Sequence, residues 1–140
     1  MTPSIVALHL APKPHAPAQA VPQVLARAGA GLEGDYHGEA GGESQVLIAD
    51  QETLESLGLA PGEIREQVTV RGLDLYAAPE GTRLRMGGAV LELAAAAEPC
   101  ERMEALRPGL ESALRGRRGR FARVVSGGVL AVGDPVQGEA

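Results

Sequence analysis

An all-β barrel or sandwich with few helices is the fold class this 140-residue sequence predicts. Three observations carry it. Nineteen glycines and ten prolines are spread along the chain and cut it into many short segments, the pattern of closed or stacked β architectures. One stretch, residues 82–93, alternates around Gly87-Gly88 as a two-residue hairpin does. Helical spacing, by contrast, shows only in short runs.

The elements follow in order. Residues 4–10, with Ile5-Val6-Ala7-Leu8, read as a buried first strand. Residues 11–17 hold three prolines and cannot sustain a ladder, because proline lacks the N–H donor. Residues 21–28 read as a strand that Pro22 delays or places at an edge. Residues 29–38 form a glycine-punctuated loop that continues to Glu43, and residues 44–49 a third strand. Asp50 is a suitable N-cap for a short helix bearing Leu54 and Leu57, which Gly58 stops. Residues 65–70 read as a strand with Gln67 and Thr69 on one face and Val68 and Val70 on the other.

The Gly87-Gly88 turn predicts a register of Met86 with Ala89, Leu84 with Leu91, and Arg83 with Glu92. Apolar pairs then share one face and an ion pair the other. Leu106, Leu110 and Leu114 carry helical spacing broken at Pro108-Gly109. Residues 121–125 and 129–132 are two further strands, and residues 133–136 close the domain. From Gln137 onward the chain reads as a frayed tail. No repeat or boundary divides residues 1–140, so a single domain is expected.

Composition excludes several function classes. The net charge is −5 and the aromatics are Tyr36, Tyr76 and Phe121 alone, so neither phosphate-backbone attraction nor base stacking supports a nucleic-acid partner. No apolar run approaches the roughly 20 residues needed to span a bilayer, and the N-terminus lacks the pattern of a signal peptide. One cysteine forms no disulfide within the chain, which fits a cytoplasmic location. Lys13 is the only lysine and sits in the proline-rich loop, a poor setting for Schiff-base chemistry. Zinc-type ligand spacing and a Gly-x-Ser-x-Gly elbow are both missing. The Gly29-Ala30-Gly31-Leu32-Glu33-Gly34 stretch matches a dinucleotide fingerprint in form only, since no helix follows it.

Cys100 is the most informative residue. It follows Pro99 at the end of an apolar run and precedes a short helical stretch, a position where unpaired backbone N–H groups and a positive dipole end favour thiolate. Arg102 adds to this, while Glu98 and Glu101 oppose it. A free cysteine is also commonly an inert buried hydrophobe, and both readings stand. Asp35 and His37, two apart in extended backbone, would place an acid and an imidazole on one side, or form an ordinary turn with an exposed histidine. Arg65-Glu66-Gln67 opens a strand with three polar groups, of which Arg65 suits two-pronged contact to carboxylate or phosphate. Its alternative is a solvated strand start. Arg115, Arg117, Arg118, Arg120 and Arg123 fall in a segment with no acid. They would cradle a phosphate beside Gly116 and Gly119, or form a solvated basic turn.

Taken in order, these segments resemble the MOSC family, named after the C-terminal domain of molybdenum-cofactor sulfurase. Residues 31–37 are similar to its Gly-x-x-Gly-Asp-x-His stretch, Arg65-Glu66-Gln67-Val68 to its Arg-Glu-Asn-Ile, and residues 84–92 to its central hairpin. Pro99-Cys100 stands where the family carries its functional cysteine, and Gly119, Val124, Gly127-Gly128 and Gly133-Asp134 match its closing pattern. Tyr36 replaces a frequent arginine, which removes a positive charge from that loop. Gln67-Val68 replaces Asn-Ile and moves the amide by one methylene.

The resemblance implies a closed or partly open β-barrel of mixed strands with short peripheral helices. It implies that the chain binds a molybdenum-pterin cofactor or carries sulfur as a persulfide, with Cys100 as sulfur acceptor or molybdenum ligand. Asp35, His37, Arg65, Glu66, Gln67, Arg118 and Arg120 would then hold the cofactor. A reductase of N-hydroxylated compounds is a second expectation, and a non-catalytic module for a phosphorylated ligand or protein partner a third. Pyridoxal phosphate belongs to a separate domain in the sulfurases, so none is expected bound to this chain. A separate cysteine desulfurase-like sulfur donor or an electron donor is expected as partner. No nucleic acid or membrane is expected, and a homo-oligomer is compatible with the sequence.

Overall fold

Local rules place most of the strands. The structure, a computed structural model, describes residues 2–36 and 45–139. Eleven strands occur among them: β1 (Ser4–Leu10), β2 (Gln19–Ala20), β3 (Gln23–Arg27), β4 (Gly31–Leu32), β5 (Val46–Asp50), β6 (Val68–Arg71), β7 (Arg83–Met86), β8 (Ala89–Ala96), β9 (Arg120–Ser126), β10 (Gly128–Ala131) and β11 (Val136–Gly138). Three short helices accompany them: α1 (Gln51–Ser56), α2 (Glu101–Leu106) and α3 (Leu110–Ala113).

Eight strands form one mixed sheet in the order β11-β7-β8-β9-β5-β6-β1-β2, and β10-β3-β4 form a second. Only β5 and β6 pair in parallel; the connection between them carries α1, as a parallel crossover requires. The large sheet curls until its ends approach: Ser4 bridges Pro135, and Ile5 N donates to Asp134 O at 2.9 Å. The sheets do not close, so the fold is a partly open barrel. The β7–β8 hairpin has the expected register throughout, and Arg83 Nε lies 3.1 Å from Glu92 Oε2. Asp50 caps α1 by accepting from Thr53 N at 3.1 Å.

Three expectations need correction. The strand expected from Arg65 begins only at Val68, because residues 61–64 form turns that deliver Arg65 in a left-handed conformation. Proline delays β3 to Gln23, yet that strand is the middle of its sheet rather than an edge. The tail is not frayed: β11 covers the open edge of β7, pairing Gln137 with Arg85, and Glu139 forms an ion pair with Arg85 at 3.1 Å. An edge strand otherwise exposes unpaired backbone groups, and the last residues satisfy them.

Two cores result. The larger fills the barrel with Ile5, Leu8, Ile48, Val68, Leu91 and Leu93. The smaller gathers Leu54, Ile64, Met103, Leu110 and Leu114 beneath the helices. Met103 is fully buried there, which contributes about 1.5–3 kcal/mol. Its burial anchors α2 and so fixes the positions of Cys100 and Arg102 just before it.

Candidate functional site

Where the two cores meet, chain segments far apart in sequence bring three guanidinium groups to one small cavity. Arg65, Arg102 and Arg118 line it together with Tyr36, Gln67 and Phe121, around a volume of about 210 Å³. Each arginine arrives by a different device. Arg65 sits at φ +65°, a conformation that costs a non-glycine residue energy and persists only where surroundings enforce it. Its Nη1 donates to Ala16 O at 3.0 Å. Arg102 rides on the anchored α2, and its Nη2 contacts His15 Nδ1 at 2.8 Å. Arginine has only donors, so Nδ1 must accept and the ring proton lies on Nε2. Arg118 Nη1 donates to Glu98 O at 2.8 Å, two residues before Cys100.

The guanidinium groups are not saturated. Arg65 Nη2 and Arg118 Nε are buried without a hydrogen-bond partner among the described residues. Buried donors without partners are rare and costly, and an anion in the cavity would satisfy them. Cys100 is half-buried and forms the N-cap of α2 in extended conformation; its side chain makes no capping bond. Cys100 is not part of the cavity lining; the segment carrying it is tied to the cavity on both sides, through Glu98 and Arg102.

Glu66 and Gln67 take supporting positions. Glu66 is buried; its Oε2 accepts from Gly62 N and from Thr69 Oγ1, both at 2.9 Å, and so braces the turn that presents Arg65. Burial pushes its carboxyl above the usual range, opposed by those hydrogen bonds. Gln67 Oε1 accepts from Leu47 N at 2.6 Å, and its Nε2 donates to Asp35 Oδ2 at 3.4 Å. Asp35, also buried, accepts from Ala11 N at 2.8 Å. Gln67 therefore lines the cavity while Asp35 ties the adjoining loop behind it. His37 lies outside the described residues.

The arginines of residues 115–123 do not act as one patch. Arg120 is buried and faces away: its guanidinium donates to the carbonyls of Leu75, Ala78 and Ala94 at 2.7–3.0 Å. Arg123 pairs with Glu92 at 2.8 Å, and Arg117 Nε donates to Ala113 O at 2.8 Å. Gly119 separates Arg118 from Arg120 at φ +126°, pressed so close to Ile48 O that a Cβ would clash with it. Of the sequence-predicted residues, the structure thus brings together Arg65, Gln67 and Arg118, with Cys100 in the bordering segment. Glu66 and Asp35 support them, and Arg120 stands elsewhere. Sequence reading gives Arg102 only a local role beside the thiol. Its place in the cavity wall depends on Met103 being buried, which no single-residue pattern announces.

The sequence model of the MOSC domain matches residues 33–137, three quarters of the chain. The protein belongs to the MOSC domain family. No curated protein sequence matches this chain. Among solved structures, the MOSC chain is similar to the YuaD protein from Bacillus subtilis, with a TM-score of 0.79 and 24% identity over 97% of this chain and 94% of that one. It is also similar to YiiM from Geobacillus stearothermophilus (TM-score 0.78, 20% identity, 99% of this chain and 75% of that one). For YiiM from Escherichia coli the TM-score is 0.72, with 17% identity over 97% of this chain and 69% of that one. These likenesses establish the fold. Among the described residues no helix is long and apolar enough to cross a membrane.

Proposed function

We propose that this MOSC domain binds a molybdenum-pterin cofactor by seating its anionic end in the three-arginine cavity, with the Cys100 sulfur as the protein's ligand to the metal. The observation that carries this reading is the pair of buried, partnerless N–H donors on Arg65 and Arg118. An acceptor-rich, anionic group such as a phosphate or oxo-metal end would satisfy both donors with charge-assisted hydrogen bonds.

The residues fit the cofactor in a second respect. No group of three histidine, cysteine or acidic side chains among the described residues could hold a metal alone. A metal here would need a carrier that brings its own ligands, as a dithiolene pterin does. When bound, that cofactor supplies oxygen-atom or sulfur-transfer chemistry at molybdenum. The chain's own work is to neutralise charge and orient. Arg65, held by Ala16 O, and Arg118, held by Glu98 O, offer their remaining donors from fixed positions. Preorganised donors need no rearrangement when the anion arrives. Phe121 and Tyr36 exclude water from part of the wall, which strengthens each charged contact.

The same sulfur could instead carry a persulfide, and reduction of N-hydroxylated compounds is the enzymatic form of the leading reading. The test is to purify the protein and its Arg118→Ala and Cys100→Ser variants gently and to measure molybdenum together with pterin fluorescence after acid oxidation. Wild type should release pterin and molybdenum in equal amounts. Arg118→Ala and Cys100→Ser should each lose the two together, since the pterin's dithiolene carries the metal. Absence of both from wild type would overturn the proposal, and extra sulfur on Cys100 in their place would favour the persulfide instead.

A further inference from the structure

A second, larger cavity of about 550 Å³ lies on the other side of Arg65 and Arg102, which line both. Its wall has two parts. Pro61, Ala105 and Leu106 give an apolar surface, with Leu106 left exposed at the rim. His9, Arg65 and Arg102 give a polar one. Gly62 sits at φ +90° with its backbone against the His9 ring, where a Cβ would clash.

The polar part is unfinished. Arg65 donates to Ala16 O and Arg102 contacts His15 Nδ1, which leaves further N–H donors on each guanidinium. Burial lowers the His9 pKa, so that ring contributes a polar edge rather than a charge at neutral pH. The charge of the cavity therefore comes from Arg65 and Arg102. Glu63 is the one acid lining it, and Glu63 Oε2 is engaged with Ala60 N at 3.1 Å.

We propose that the larger cavity is a separate binding chamber for a small organic anion. Its carboxylate or phosphate head would lie against Arg65 and Arg102, and its apolar body against Pro61, Ala105 and Leu106. The volume falls within the range of small-molecule pockets, which pair a mostly apolar lining with a few placed polar groups. On the reading above, Arg65 and Arg102 form the shared wall between this ligand and the three-arginine cavity, which makes the bound anion a candidate substrate. Binding itself requires neither molybdenum nor a persulfide, so its test stands apart from that reading.

The experiment is a ligand-observed NMR titration of the full chain with phenyl phosphate, benzoate and benzyl alcohol. Both anions should bind, and the neutral alcohol should bind about tenfold more weakly, because guanidinium contacts to anions are the strong ones. Ala105→Trp fills the chamber from an exposed helix position. Leu106→Glu sets a repelling charge at its rim. Each should weaken anion binding about tenfold, whereas Arg118→Ala, which lines only the smaller cavity, should leave it within about twofold. Using two exposed sites guards against one variant failing to fold. Loss of binding in Arg118→Ala with retention in Ala105→Trp and Leu106→Glu would overturn the assignment. So would equal binding of the alcohol, or no binding of either anion.

Discussion

Arg118 and Arg120 are separated by one glycine and live in opposite worlds. Arg120 is buried, and its guanidinium donates to three backbone carbonyls from two other parts of the chain. It finishes a structure. Arg118 makes one backbone bond and keeps a buried Nε with no partner. Arg65, on the same cavity, is likewise unfinished and is held in a left-handed conformation besides. The difference teaches how to separate a structural cation from a functional one. The former is saturated within the fold; the latter keeps donors in reserve at some cost to stability.

Substitution should break the comparison most visibly at Arg120. Arg120→Ala leaves the buried carbonyl of Leu75 and the part-buried carbonyls of Ala78 and Ala94 without this donor and should cost about 3–4 kcal/mol in chemical denaturation. Arg120→Lys should rescue little, since an ammonium lacks the fork that reaches three acceptors. If Arg120→Ala unfolds at the wild-type denaturant midpoint, Arg120 is not the structural half of the pair.

Arg118→Ala should do the opposite. Stability should shift by less than about 1 kcal/mol, because one exposed-side bond is lost while a buried orphan donor is relieved. Affinity of the purified protein for inorganic phosphate, read by calorimetry, should fall about tenfold. A large stability loss with unchanged phosphate affinity would put Arg118 in the same class as Arg120.

Glu66 sharpens the contrast through pH. Burial raises its folded pKa above the ordinary value of 4.5. As pH rises past that value the unfolded carboxyl ionises first while the native one keeps its proton, so native stability falls until the folded pKa is passed. Glu66→Gln cannot ionise. Its stability relative to wild type should therefore increase as pH rises past 4.5, as followed by thermal melts from acid towards neutral pH. A gap that does not change with pH would deny the desolvated carboxyl.

The smallest effect belongs to Arg83, on the exposed ladder where Glu92 pairs with both Arg83 and Arg123. These contacts hold the Glu92 carboxyl below its usual range, Arg123 most. The pair lies in water, so Arg83→Ala should move the melting temperature least, and added salt should erase the change.

Sequence rules succeeded where geometry is local. Gly87-Gly88 dictates the hairpin register because two residues leave no other pairing, and Asp50 and Gly58 bracket α1 by capping alone. The family pattern singled out the thiol, Arg65 and Gln67, and the arginine cluster singled out Arg118; the structure sets Arg65, Gln67 and Arg118 on one cavity. Other features depend on three dimensions. Arg118 and Arg120 are equivalent in composition, and only the strained backbone at Gly119 and the proximity of residues 75–78 set them apart. Likewise β11 forms because β7 has an open edge, which Gln137 cannot reveal by itself. The proline-rich loop reads as surface filler, yet Ala16 and His15 hold Arg65 and Arg102 in place.

Intact-mass and metal analysis of natively purified wild type beside Cys100→Ser tests the central claim most directly. Molybdenum in amounts matching the protein, present in wild type and absent from a normally folded Cys100→Ser, is the predicted result. Wild type without molybdenum, or a Cys100→Ser variant that retains it fully, would contradict the account.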